Sequence, residues 1–237
     1  ETGAAVETSE VSTCAHDADG DEILDEWETA PADPFRTGTA ALDLAAMGAR
    51  PTHKDLFLQL AWSPGNEIDP TAGKRVAQAF AEAPITNVDG KKGINLHIDN
   101  GPASVMNLPT GKRWGALSKA KSTAGEPRGP VAGLTDWTRF GKIRDRVFPA
   151  TRSPVFRFAF ADRRVSENYP DTLGQAHGIL SSELALGLKG SCAAEPCPVT
   201  LDRQTGVLMH ELGHTLGLRH GGGDEYHMKP NHLSVMN

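Results

Sequence analysis

In HKDLFLQLAW (53–62), Leu56, Leu58 and Leu60 alternate with Phe57 and Gln59, so apolar side chains fall on both faces. That pattern predicts a strand covered on both sides. Over 71–84 the period lengthens: Val76, Ala79, Phe80 and Ala83 recur at three- and four-residue steps, predicting an amphipathic helix that Pro84 ends. GINLHID (93–99) returns to strand character. Strand, helix and strand within about 45 residues predict a crossover unit with a parallel pair. Farther along, 153–162 sets Val155, Arg157, Ala159 and Ala161 on one side of a strand and Phe156, Phe158 and Phe160 on the other. AHGILSSELAL (176–186) predicts a strand or strand pair, and CPVTLD (197–202) a short strand. RQTGVLMHELGHTLGL (203–218) is the strongest helix.

Two stretches lack such periodicity. Residues 1–52 are rich in Ala, Asp, Thr and Gly and read as an irregular segment with one short helix after Asp21. Residues 100–150 carry many Gly, Pro and Lys around Trp114 and Trp137, and read as a long surface excursion with a short helix near 136–146. The boundaries follow: 1–52 as an irregular N-terminal segment, 53–220 as the part that carries the periodic elements, and 221–237 as the start of a C-terminal part. With 237 residues, 38% of them apolar, the chain suffices for one large domain or two small ones sharing a cleft. A net charge of −6 argues against nucleic acid or an anionic membrane as partner. No apolar run approaches the ~18 residues of a membrane-spanning helix.

Chemistry concentrates in VLMHELGHTLGLRHGG (207–222). His210 and His214, four apart, share one face of a helix and can point two ring nitrogens at one ion. A third ligand farther along the helix would lie too far round. Gly217 lets the helix stop and the chain turn, so that His220 approaches from another side. Three neutral imidazoles with one open position are what catalytic zinc requires. Glu211 is suited to serve a water at that position as general base, then to hand the proton to a leaving amine. HExxH is the pattern that delivers this hydrolysis.

HELGHTLGLRH resembles the long zinc signature HExxHxxGxxH of the metzincin clan of metallopeptidases. HKDLFLQLAW, NLHIDNGP, MHELGHTLGLRHGG and KPNHLSVMN together look most like bacterial secreted proteases of pappalysin type. The resemblance implies an α+β fold with a twisted mixed sheet of about five strands and two long helices, the second carrying the first two zinc ligands. It also implies that Met236, in LSVMN, forms an apolar floor under the imidazoles, and that the protein is secreted, with a protein or peptide substrate. The substrate would lie extended along an edge strand, for which AHGILSS is the expected stretch. Several members place a Tyr two residues after the Met. The sequence reaches Asn237, one residue short of that position; against the clan's pattern most of the C-terminal subdomain is expected to be missing, with Tyr226 as a candidate substitute phenol that no pattern places. His227 and His232 read as surface or supporting residues. Rival readings are a catalytically silent zinc-bearing adhesin or interaction module, and a zinc hydrolase of non-peptide amides or esters. Nothing in the sequence indicates an oligomeric state.

A second ion site is expected in DADGDEILDEWE. Asp17, Asp19, Asp21, Ile23, Asp25 and Glu28 fall at positions 1, 3, 5, 7, 9 and 12 of a calcium loop, with Ile23 lending its carbonyl. The stretch resembles EF-hand-like and thrombospondin-type calcium motifs, except that Glu22 stands where glycine makes the sharp turn. Calcium would be structural, pinning a segment with little core of its own. His97 and Asp99 follow a strand and read as a satisfied strand-end pair more readily than as cleft residues; His16 and His53 carry no pattern. Cys192 and Cys197 are spaced for a small disulfide loop with Cys14 left over, unless Cys14 takes one of them.

Overall fold

The computed structural model describes residues 16–35, 42–127, 135–166, 172–188, 199–224, 226, 229 and 234–236. In chain order the elements are α1 (Asp25–Thr29), α2 (Leu44–Met47), β1 (Asp55–Trp62), α3 (Pro70–Ala81), β2 (Asn95–Asp99), β3 (Val105–Asn107), β4 (Lys112–Arg113), α4 (Trp137–Val147), β5 (Phe156–Asp162), β6 (Gly174–Ala176), β7 (Glu183–Gly187) and α5 (Leu201–Thr215). The chain is a mixed α and β fold around a five-stranded mixed sheet of order β2-β1-β5-β7-β6. The first four strands run parallel; β6 pairs antiparallel with β7 at the edge. β3 and β4 form a separate two-stranded sheet.

The two-sided apolar pattern of β1 explains the layers. Leu56, Leu58 and Leu60 face α3 and α5, where they pack with Val76, Phe80, Leu208 and Leu212. On the other face Phe158 and Phe160 lie under Phe140 and Ile143 of α4. Each such buried side chain contributes on the order of 1.5–3 kcal/mol relative to leaving it in water. Asp69 caps α3 by accepting from Thr71 N–H at 2.7 Å, and Pro70 occupies its first turn. Among the described residues, no helix is long and apolar enough to cross a membrane.

Four stretches depart from the periodicity. Residues 100–150 are not all surface: Trp114 is buried, with its indole N–H donating to Ile98 O at 2.7 Å, and only α4 matches the expected helix. The N-terminal segment has a core after all, because Ile23, Leu42, Leu44, Met47 and Ala49 pack with Phe57, Met106, Trp114 and Phe156. Within 176–186, only β7 and the end of β6 are strand. His177–Ser182 is a connection, with Leu180 at φ 63 and its N–H on His214 O. Of 197–202, residues 199–200 lead into α5, with Thr200 as its cap, and Leu201 is already helical; 197 and 198 lie outside the described residues.

Candidate metal centre

α5 lays Leu208 and Leu212 on the sheet and turns His210 and His214 away from it. It ends as a helix does when glycine follows. Gly217 stands at φ 91, its N–H returns to His214 O at 3.1 Å, and Leu218 N–H returns to Gly213 O at 3.0 Å. The chain then folds into a tight turn closed by Arg219 and Gly222, with His220 inside it. One nitrogen from each of His210, His214 and His220 lies within 4.8 Å of the others. The three ring centroids are 4.7, 4.8 and 5.2 Å apart.

Hydrogen bonding sets the tautomers of two rings. His210 Nδ1 is 2.7 Å from Val235 O and His214 Nδ1 is 2.8 Å from Leu218 O. A carbonyl only accepts, so both Nδ1 atoms carry hydrogen and both Nε2 lone pairs face inward. Those Nε2 atoms are 3.1 Å apart. Two lone pairs at that distance repel unless a proton or a cation lies between them. Burial lowers the pKa of His210; the bond to the Val235 carbonyl opposes this and the other two rings add to it, and the net direction disfavours a second proton. The separation is close to the ~3.3 Å that two nitrogens at ~2.05 Å from a tetrahedral zinc would show. The donor set therefore fits zinc, with His210, His214 and His220 as the holders.

Met236 is buried against α5. A Cβ added to Gly213 would stand 2.6 Å from Met236 Sδ, so this glycine, between two of the histidines, is what admits the methionine. Val235 O and Met236 thus dock the 234–236 turn against α5, the first at the His210 ring and the second at Gly213. Glu211 is also buried and lies against the edge strand: a Cβ on Gly174 would fall 2.6 Å from its Cγ. Burial pushes its carboxyl up to about 8, opposed by the Ala176 backbone N–H. Gly213 and Gly174 escaped the reading of the sequence. The signal for the first was a glycine inside an otherwise strong helix, which costs stability unless something packs there. Tyr226 is 77% exposed. His227, His232, Asn237 and the three cysteines lie outside the described residues, so the disulfide reading does too.

The acidic loop is rearranged relative to expectation. Oxygens of Asp17, Asp19 and Asp21 come within 4.8 Å of one another, and those of Asp21, Glu28 and Asp55 do the same. Asp25 turns away, accepting from Ala18 N–H at 2.8 Å and pairing with His16. Ile23 donates its N–H to Asp21 at 2.8 Å and places its side chain in the core. Burial pushes Glu28 up to about 9 and Asp21 to about 7, the neighbouring carboxylates adding to each. Asp55, absent from the expected ligands, is contributed by β1, and no spacing rule within the loop reaches it. His97 and Asp99 are structural: His97 bridges Asp55 (2.6 Å) and Met106 O (2.8 Å), and Asp99 accepts from Arg152 at 2.7 Å. No family model, curated protein or solved structure matches the chain significantly.

Proposed function

We propose that the chain is a zinc-dependent endopeptidase of metzincin type. The observation that carries this reading is the convergence of His210, His214 and His220 within 4.8 Å, with two inward-facing Nε2 atoms held by backbone acceptors. The resemblance of HELGHTLGLRH to the long zinc signature supports it. Zinc bound there supplies a Lewis acid for a carbonyl oxygen and makes a coordinated water more acidic.

The chain's own residues do the rest. In its ionised form, which a cation at the trio would favour over the protonated form that burial alone favours, Glu211, next to His210, takes the proton of the attacking water and passes it to the leaving nitrogen. Met236 supports the imidazoles from below and donates nothing to the metal. The edge strand β6, which touches Glu211 through Gly174, is the surface on which an extended peptide would pair; it replaces the AHGILSS stretch, most of which is a turn.

The test is cleavage of a denatured-protein digest, read by mass spectrometry as new peptide termini, alongside elemental analysis. Glu211→Gln should retain zinc and lose turnover by a factor of ~10² or more. His214→Ala should lose both. New termini produced equally by wild type and Glu211→Gln would refute the reading.

A further inference from the structure

A group of carboxylates gathers where the N-terminal segment meets β1. Asp19 is 8% exposed, Glu28 2% and Asp55 4%. Among the described residues, no oxygen of the Asp19 or Glu28 side chain has a hydrogen-bond partner. Buried carboxylates left in this state are rare, because desolvation of the charge is uncompensated. Lys54 does not resolve it by direct pairing: its ammonium is bonded to the backbone carbonyls of Asp19 and Gly20. Nor does a shared proton. That would draw two carboxyl oxygens to hydrogen-bond distance, and among the described residues neither Asp19 nor Glu28 makes such a contact.

We infer that Asp17, Asp19, Asp21, Glu28 and Asp55 form a calcium-binding clamp that fastens the N-terminal segment to the start of the sheet. Asp21 belongs to both oxygen clusters, and its backbone neighbours explain its position: it accepts from Ile23 N–H at 2.8 Å and from Asp55 N–H at 2.6 Å. Asp17 orders the turn by accepting from Gly20, Asp21 and Glu22 N–H. The donors are carboxylate oxygens, which suit a hard cation and not zinc. Within each trio, Asp17/Asp19/Asp21 and Asp21/Glu28/Asp55, the oxygens lie within 4.8 Å of one another, which fits the ~5 Å that two oxygens can span across a calcium ion, and Asp21 joins the two trios. The clamp differs from a self-contained loop in two ways: Asp25 pairs with His16 and stands in neither trio of oxygens, and Asp55, which also meets His97 and accepts from Arg50 N–H, comes from β1. It also fixes one wall of a cleft. Gly20–Ile23 line a cleft of about 380 Å³ whose other wall includes Leu180, Thr215 and Leu216 at the end of α5.

The experiment uses the full chain, stripped with a calcium-selective chelator in the presence of zinc, and reads thermal unfolding as CaCl₂ or MgCl₂ is added. Calcium should raise the midpoint by about 5 °C or more, with a half-effect between ~10⁻⁵ and ~10⁻³ M, while magnesium does much less. Glu28→Gln and Asp19→Asn should each shift the half-effect upward at least ~10-fold. Asp202→Asn, altering an exposed carboxylate paired with Arg75, should respond as wild type does. Should either cluster variant fail to fold, the other decides. The calcium response should persist in His214→Ala, which separates this inference from the proposed hydrolase. A wild-type midpoint that calcium does not move, or cluster variants that respond as wild type does, would overturn the clamp.

Discussion

Two glycines on α5 have opposite physical situations. At Gly206 an added Cβ meets nothing within 4 Å, whereas at Gly213 it meets the buried Met236 thioether at 2.6 Å. Glycine in a helix interior costs about 0.5–1 kcal/mol relative to alanine, so Gly206→Ala should stabilise by that amount. Gly213→Ala should instead destabilise by about 1–2 kcal/mol, overpacking outweighing the propensity gain, and should weaken zinc binding as Met236 is displaced. Urea midpoints for the pair check this, and equal signs would contradict the packing argument. At Gly174 the obstruction is Glu211, its Oε1 at 2.5 Å, together with Val207, its Cγ2 at 2.6 Å. Gly174→Ala is expected to lower turnover at least ~10-fold with zinc retained, measured by peptide cleavage beside metal content. The histidines, Glu211 and Gly217 were legible because their relation is local, fixed by the helical repeat and its stop. Gly213 and Gly174 were not, because each is defined by a partner far away in the chain.

At the scale of elements, alternation and helical spacing located β1, α3, β2, β5 and α5, and the crossover reading gave the parallel pairing of β1 with β2. Periodicity failed between 100 and 150, where composition suggested surface. The reason lies in side chains that look like loop residues and act as core. Arg152 is 2% exposed, donates to Gln59 and Asp99 at 2.7 Å each and to Leu117 O at 2.8 Å, and stands 4.3 Å over the Phe156 ring. Gln59 looks like a flaw in an apolar strand, yet it also donates to Val147 O at 2.9 Å and to Lys119 O at 3.3 Å, and so ties the middle and the end of the excursion to β1. Arg152→Met should cost about 3–5 kcal/mol, because Asp99 then keeps an unpaired buried charge. Adding Asp99→Asn to that variant should recover part of the loss. A double-mutant cycle in urea reads the coupling, and strict additivity would show that the pair does not act as a unit.

On the scale of the whole molecule, the described residues nearest each end of the chain meet the body of the fold at a group of metal-capable side chains, Asp17, Asp19, Asp21, Glu28 and Asp55 on one side and His210, His214 and His220 on the other. At the C-terminal side, the turn around His220 and the 234–236 turn expose Leu218 (46%) and Val235 (41%). Their attachment to α5 runs through Met236, Val235 O and the three rings. On the proposed reading, zinc bound to the folded trio would add to global stability by mass action. Free zinc at ~100 times its dissociation constant adds about 2.7 kcal/mol. For a chain of this size each kcal/mol moves the midpoint by about 2–4 °C, so chelation of zinc alone should lower it by roughly 5–10 °C. The same treatment should speed tryptic cleavage after Arg219, since the turn that carries His220 loses its anchor. His214→Ala should already unfold at the lower midpoint and ignore the chelator. A midpoint and tryptic map that are unchanged by zinc removal would mean that the rings are held together by packing alone, because a bound cation shared by α5 and the turn that follows it cannot be removed without loosening them.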